Sequence, residues 1–286
     1  MPELPEVETT KTSLLPLLDQ KVLSVQVHNS SLRWPIPDDV EQLKGQKLLN
    51  LTRRSKYILA EFEHLTMLWH LGMSGSFRLC DPQEPLRKHD HFVIQFEDTE
   101  LRYHDPRRFG CILWLDEHAQ VKLLDTLGPE PLSDEFNAEY LSEKFKTKNV
   151  GAKVAIMDNH VVVGVGNIYA TESLFNLGIH PAQPASSLSR AQIDQFVIEV
   201  KRILKQAITL GGSTLRDYTN AMGENGYFQQ TLLAYGRAGE MCINCETTLQ
   251  NIKLGQRASV FCPECQPLKK VKSSASTLSK TRGKKA

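Results

Sequence analysis

Four cysteines near the C-terminal end, Cys242, Cys245, Cys262 and Cys265, follow the spacing C-x2-C-x16-C-x2-C. Each pair is a short turn that aims two sulfurs at one ion, and two such turns build a tetrahedral zinc site. This part of the chain is therefore expected to fold around one structural Zn2+. All four ligands are thiolates, so no position is left for water, and the ion should hold the fold without performing chemistry. The competing arrangement, a pair of disulfides, needs an oxidising compartment. The opening MPELPEVETT has no charged segment followed by an apolar run, so no secretion signal is expected. Cys80 and Cys111 lie in apolar surroundings, RLCD and GCILW, and are expected to be buried, inert thiols.

A chain of 286 residues is too long for one small core and fits about two domains. The segments KVLSVQV, KLLNL, KYILAEFE, LTMLWHL, HFVIQFE and CILWL are short and rich in β-branched and aromatic residues. Turn material such as Asn29-Ser30-Ser31 and Asp81-Pro82 separates them. Many short strands at this spacing predict a β-sandwich or barrel over residues 1–130. One helix precedes them. Pro5 suits a first turn, Glu6 and Glu8 complement its positive end, and Val7, Leu14, Leu15 and Leu18 form one apolar face.

From residue 131 the pattern becomes helical. Ser133 is placed to cap SDEFNAEYLSEKF, and residues 150–158 and 167–177 each read as a helix. Ser189 with Gln192 matches a capping box for a long helix that stops at Gly211-Gly212. The expected organisation is a helical domain over 131–226, a cysteine module over 227–266 and a disordered tail over 267–286. That makes an α+β multidomain chain. It contains no apolar run of membrane-spanning length. The net charge of +1 hides an asymmetry, because residues 267–286 carry seven Lys or Arg and no acid. Without them 27 bases face 33 acids, so the body sums to about −6. The bland reading of the tail is a solubilising end, and the functional one is a tether for a polyanion such as DNA.

Several residues could carry chemistry. If Met1 is removed, Pro2 becomes a secondary amine with an appreciable neutral fraction near pH 7. Condensed with a sugar aldehyde carbon it would give an iminium, which acidifies neighbouring protons. Glu3 beside it could act as a general acid or base. A proline at this position also serves simply to permit Met removal. GVGNIYA, at 164–170, approaches a dinucleotide fingerprint but has Tyr169 where Gly or Ala is required. It reads instead as a Gly turn whose helix N–H groups face a phosphate. KHDH, at 88–91, could suggest a metal site of His89, Asp90 and His91. Strand neighbours point to opposite faces, which disfavours it.

Taken together, MPELPEVETT, RRSKY at 53–57, HLGMSGSFR at 70–78, KHDH, DPRRFG at 105–110, LGPEPL at 127–132, GVGNIYATE at 164–172 and GRAGEMC…C…QRASVFCPEC at 236–265 resemble the blocks of the formamidopyrimidine-DNA glycosylases in their order. The likeness spans residues 1–266. It implies a β-sandwich, then a helix-two-turn-helix domain, then a β-hairpin zinc finger. It also implies bacterial base-excision repair: release of 8-oxoguanine and formamidopyrimidines from duplex DNA, followed by β,δ-elimination at the abasic site.

The resemblance implies that Pro2 is the nucleophile and that Glu3 assists it. Lys56, placed on a strand in a basic run, would assist elimination and contact phosphate. Arg257 would clamp the phosphates flanking the lesion and help the last elimination. Met73, Arg107 and Phe109 would enter the duplex, filling the space of the extruded nucleotide and facing the orphaned base. His89, Lys148, Lys153 and Asn167 would join Arg107 in contacting DNA. The loop with Ser213, Thr214 and Tyr218 would cover the flipped base. Asn159-His160 and Ser74 stand at positions where the family varies.

Two rivals remain. The endonuclease VIII branch prefers oxidised pyrimidines, but it has Gly where Leu4 stands and lacks the Met73, Arg107 and Phe109 set. A zinc-finger DNA-binding protein without catalysis would not need Pro2, Glu3, Lys56 and Arg257. The expected partner is damaged double-stranded DNA. The expected state is a monomer in the bacterial cytoplasm, associated with the nucleoid.

Overall fold

The computed structural model describes residues 2–213 and 220–269. Thr214, Tyr218 and tail residues 270–286 lie outside the described residues. Helix α1 runs from Leu4 to Ser13, with Pro5 in its first turn. Glu6 is the acid of the first turn, as expected, and it is buried: it is 2% exposed, and its carboxylate accepts the Glu3 N–H at 2.8 Å in a capping box. Val7 and Leu14 are buried as expected, but α1 ends before Leu15, which is 42% exposed in a following 3-10 turn.

Eight strands follow. They are β1 (Ser24–Val27), β2 (Leu48–Arg54), β3 (Tyr57–Phe62), β4 (Thr66–His70), β5 (Ser76–Cys80), β6 (Asp90–Gln95), β7 (Glu100–His104) and β8 (Cys111–Trp114). They form two antiparallel sheets, ordered β1-β6-β7-β5 and β2-β3-β4-β8. Inward residues of both, among them Ile58, Met67, Phe92 and Leu101, share one core. Trp69 of one sheet meets Phe77 of the other with ring centroids 4.7 Å apart. This is the expected sandwich.

Strands β5 and β7 have no counterpart among the apolar segments of the sequence, because each buries an arginine. Arg78 and Arg102 are paired in register. Arg78 donates twice to Asp90, at 3.0 and 2.8 Å. Arg102 is 1% exposed; it donates to the Glu84 carbonyl at 2.7 Å and to the Glu100 carboxylate at 2.8 Å. A buried guanidinium is tolerable only when most of its donors find acceptors, as here, where the Arg78 Nε alone of the two lacks one among the described residues.

The helical part contains α2 (Glu117–Leu123), α3 (Ala138–Phe145), α4 (Ala152–Ile156), α5 (Asn167–Asn176) and α6 (Arg190–Thr209). Ser133 is not the cap of α3. Asn137 is, accepting from the Tyr140 N–H at 2.9 Å, while the Ser133 hydroxyl turns back to the Glu130 carbonyl. The Ser189–Gln192 capping box opens α6, and Gly211 and Gly212 end it with φ of 76° and 81°. Helix α2 falls where the sequence pattern pointed to strands. A second core joins α3 to α6, with Tyr169, Phe196 and Phe228 at its centre.

The cysteine module carries a hairpin, β9 (Gln250–Leu254) and β10 (Arg257–Phe261). Gly255 and Gln256 connect the strands with φ of 50° and 61°, the positive pair that a tight two-residue hairpin turn requires. Cys80 and Cys111 are buried, and burial pushes the Cys111 thiol up to about 12. Among the described residues no helix is long and apolar enough to cross a membrane.

Asp90 offers a test of the sandwich. Burial alone would raise its carboxyl, but hydrogen bonds from His104, the Arg87 amide and Arg78 outweigh burial and hold it at about 2. A carboxyl lowered from 3.8 contributes stability above that pH and loses it as pH falls toward 2. The shift corresponds to about 2 kcal/mol. Asp90→Asn should therefore lower the urea midpoint at pH 7 and flatten its decline between pH 4 and 2. An unchanged acid limb would exclude this linkage.

Candidate functional site

The GVGN turn does not face a free phosphate with all of its N–H groups. Glu3 occupies it: its carboxylate accepts the Gly166 N–H and the Ile168 N–H, each at 3.0 Å, at the start of α5. A carboxylate is the anion that a helix N-terminus favours. Gly166 is required for that approach, since a Cβ there would lie 2.3 Å from the Glu3 carboxyl carbon. Gly164, at φ 76°, packs as closely on Leu4. Two glycines thus let the first residues of the chain lie against the helical half, and Pro2 is buried at that junction.

Lys56 comes from the β2–β3 hairpin. It sits in a two-residue turn with Ser55, at φ 56°, and not on a strand as its basic run suggested. Burial lowers its pKa, while Glu3 and Glu6 draw it back up. Burial likewise raises the Glu3 carboxyl; Lys56 opposes that shift and Glu6 adds to it. Arg257, on the hairpin tip at the start of β10, is exposed, and its charge is felt by both Lys56 and Lys153. Four of the expected residues, from three separate parts of the chain, therefore converge. Each of Glu3 and Lys56 is moved toward neutrality by burial, the condition in which a carboxyl or an amine can trade protons near neutral pH.

Met73 and Phe109 also converge. Residues 71–75 and 105–110 are two loops tied by Asp105, which is fully buried. Its carboxylate accepts from the Ser74 hydroxyl at 2.7 Å, the Gly110 N–H at 2.9 Å and the Tyr103 hydroxyl at 3.2 Å. A Cβ on Gly72 would lie 2.4 Å from the Gly110 nitrogen, so the loops touch backbone to backbone. On that base Phe109 is 45% exposed, with the Arg107 guanidinium over its ring at 4.9 Å. An apolar ring and a cation stand outward on a rigid support.

The remaining expected residues divide. His89 precedes β6 with φ 79°, its ring 6.0 Å from those of His91 and His104. His91 points elsewhere, to the Asp105 carbonyl at 2.8 Å, and the cysteines are the one cluster of possible metal ligands among the described residues. Asn167 opens α5, and its Oδ1 is buried without a hydrogen-bond partner among the described residues. Lys148 pairs with Asp158 at 2.9 Å. Lys153 does not have the exposure expected of a phosphate contact. It is 1% exposed, and its ammonium donates to the Ala258 carbonyl at 2.8 Å and the Ser259 hydroxyl at 2.9 Å.

The cysteine module fits a metal. The four sulfurs lie within 4.8 Å of one another, with separations such as 3.4 Å for Cys245–Cys262 and 3.9 Å for Cys242–Cys265. Zinc–sulfur bonds of about 2.3 Å in a tetrahedron place sulfurs about 3.8 Å apart. None of the four is in a disulfide.

Other residues at the site were not singled out in the sequence. Glu6 accepts from the Tyr169 hydroxyl at 2.6 Å and the Ser213 N–H at 2.8 Å. His70 accepts the Gly72 N–H on Nδ1, and burial, then the charges of Lys56 and Arg33, bring its pKa to about 4. Glu172 gathers the Leu233, Ala234 and Tyr235 N–H groups at the start of the cysteine module. The signal for Glu6 was present, three residues from Glu3. Glu172 gave none, because its partners are backbone groups some sixty residues away, and Asp105 gave none, because its tie to Ser74 crosses between two loops.

A carboxyl titration by NMR should place Glu3 above 4.5. Lys56→Met should raise it further, because the lysine charge is the largest influence in the other direction. A value at or below 4.5 in both proteins would contradict the burial.

Residues 1–112 match the formamidopyrimidine-DNA glycosylase N-terminal domain, and residues 127–219 match the H2TH domain of the same enzymes. The formamidopyrimidine-DNA glycosylase of Acinetobacter baumannii is 77% identical over 95% of this chain and 99% of its own length. That of Acinetobacter baylyi is also 77% identical, over 94% of this chain and 100% of its own. Among solved structures, a Lactococcus lactis FPG mutant in complex with a Fapy-dG containing DNA superposes with a TM-score of 0.86. It is 32% identical, and the match covers 93% of this chain and 100% of that one. The L. lactis enzyme in complex with an abasic site containing DNA gives the same TM-score, 0.86, covering 93% and 99%. Matched domain by domain and along nearly the full length of its relatives, the chain belongs to the formamidopyrimidine-DNA glycosylase family.

Proposed function

We propose that this chain is a bifunctional glycosylase and abasic-site lyase that releases 8-oxoguanine and formamidopyrimidines from duplex DNA in base-excision repair. The observation that carries the proposal is the buried Glu3 carboxyl, next to Pro2 and held at the α5 N-terminus with Lys56 nearby. The L. lactis relatives bound to Fapy-dG and to abasic-site DNA support the substrate class.

In this reading, removal of Met1 frees the Pro2 amine. Its nitrogen attacks C1′ of the flipped nucleotide as the bond to the base breaks, and Glu3 assists departure of the base by proton transfer. Such assistance contributes roughly 10²- to 10⁴-fold. The C1′–O4′ bond then opens as O4′ takes a proton, and the resulting iminium makes the C2′ protons acidic. Loss of one expels the 3′ phosphate, and a second elimination expels the 5′ phosphate, leaving a gap with phosphates on both ends. Lys56, whose pKa burial lowers, assists these proton transfers, and Arg257 holds the flanking phosphates.

Met73, Arg107 and Phe109 enter the duplex from the Asp105-tied loops, and the Arg107 guanidinium faces the orphaned base. His89, Lys148 and Asn167 contact backbone phosphate, and the Lys148 pair with Asp158 opens to do so. The four cysteines would hold one zinc ion, which supplies folding energy to the hairpin. The protein acts as a monomer in the cytoplasm, on the nucleoid.

Two tests bear on the chemistry. Borohydride reduction on a lesion duplex should yield a covalent adduct through Pro2. Protein that retains Met1 should yield neither adduct nor strand cleavage, and full cleavage by it would refute the nucleophile. Zinc removal by chelation, or Cys245→Ser, should unfold the hairpin and abolish DNA binding. Unchanged affinity after verified metal loss would exclude the structural role.

A further inference from the structure

Beside apolar contacts such as the Phe261 ring 4.4 Å from His180 and Phe175 against Leu249 and Val260, polar side chains tie the cysteine module to the helical core at its beginning, middle and end. Glu172 of α5 holds its beginning through three backbone N–H groups. Gln266 holds its end, donating to the Ile179 carbonyl at 2.8 Å while its own carbonyl accepts the Cys262 N–H at 2.9 Å. Lys153 of α4 holds the middle, at Ala258 and Ser259. Both outer points are polar and distant from the hairpin tip. The middle one lies beside it: Ala258 directly follows Arg257.

The contact is built, not incidental. Lys153 is 1% exposed and Ser259 is wholly buried. The Ser259 N–H is held in turn by the Asn251 side chain at 3.0 Å. The next residue, Val154, lies under the hairpin turn, 3.4 Å from where a Cβ on Gly255 would stand. Helix α4 thus carries an ammonium and an apolar patch on the face that meets the hairpin. Its two contacts determine both the height and the tilt of the tip. Ordering a lysine in the interior carries a desolvation cost that a purely apolar contact would avoid. A role in orientation accounts for it, since two directed hydrogen bonds set an angle that dispersion contacts leave loose.

We propose that Lys153 is a positioning residue: it orients β10 so that Arg257 faces the Glu3–Lys56 pocket, and it makes no phosphate contact itself. The charges of Glu3 and Arg257 are both felt at Lys153. The proposal rests on the role given above to Arg257, and it assigns the family member's buried lysine a part that acts through the hairpin.

The test uses the full-length zinc-loaded protein with Lys153→Met and, as a milder change, Ser259→Ala. Ser259 is buried and uncharged, so it cannot contribute a phosphate contact of its own. Both variants should retain zinc but lose hydrogen-exchange protection at the β10 amides. Both should slow cleavage of a preformed abasic site about tenfold while base release slows less, and the double variant should be no worse than Lys153→Met. The slope of log affinity against log salt should be unchanged. A phosphate-contacting lysine would instead lower it by about 0.9. A slope reduced by that amount in Lys153→Met, with β10 protection intact, would overturn the proposal. So would normal abasic-site cleavage by both variants when Arg257→Ala cleaves poorly. The slope and exchange readouts do not depend on elimination chemistry, so an error in the role of Arg257 would show separately, as full activity of Arg257→Ala.

Discussion

The Glu3 carboxylate at the start of α5 is the contact on which the site depends. Two backbone N–H groups at the end of a helix bind it, and each would otherwise lack an intrahelical partner. The contact joins residues 3 and 166, so it ties the first turn of the chain to the helical half through the centre of the molecule. It also decides where Pro2 lies. A chain end usually frays, yet here the residues that follow Pro2 are held by Glu3, by the Glu3 N–H to Glu6, and by the Leu4 N–H to the Gly164 carbonyl at 3.2 Å. The nucleophile role proposed for Pro2 would need such restraint, because catalysis by orientation requires the reacting nitrogen to be fixed before the substrate arrives.

Two buried carboxyls and one lysine share the space around that contact. Glu3 and Glu6 are both 2% exposed, and Glu6 accepts from Glu3, Tyr169 and Ser213. Lys56 is the cation facing them, and Arg257 pushes its pKa down from the hairpin. A tight ion pair would have locked Glu3 as carboxylate and Lys56 as ammonium. Burial moves both the other way, which keeps a proton available for transfer. The same geometry explains what the four-cysteine module contributes to the site. The hairpin is the means of bringing Arg257 to a pocket otherwise built from the sandwich and the helices.

Much of this was legible from residue types. Six strands, the α6 capping box and the four-cysteine spacing are local patterns, and each is carried by neighbours a few residues apart. The two missed strands bury Arg78 and Arg102, whose partners are Asp90 and distant carbonyls, so their pattern looked polar. Ser133 was a plausible cap until Asn137, four residues on, proved to have the N–H of Tyr140 in reach. The GVGN turn was recognised as an anion-binding helix start, but the anion is the chain's own Glu3. Lys153 shows the same limit from the other direction. Its position in the sequence suits a phosphate, and only the packing of β10 against α4 reveals where its ammonium goes.

The Asp105 loops complete the physical picture. Inserting side chains into stacked bases costs a few kcal/mol per step, and a floppy wedge would add its own ordering entropy to that cost. In the role proposed for these loops, that entropy has been removed in advance. One buried carboxylate holds Ser74, Gly110 and Tyr103 together, and the Gly72–Gly110 approach leaves no space for a slack backbone. Arg107 over the Phe109 ring joins the two exposed side chains into one unit. The site thus follows one rule in both of its halves. In each, a buried acid fixes the backbone: Glu3 and Glu6 beside the first residues, Asp105 beneath Arg107 and Phe109, and Glu172 at the root of the hairpin that bears Arg257.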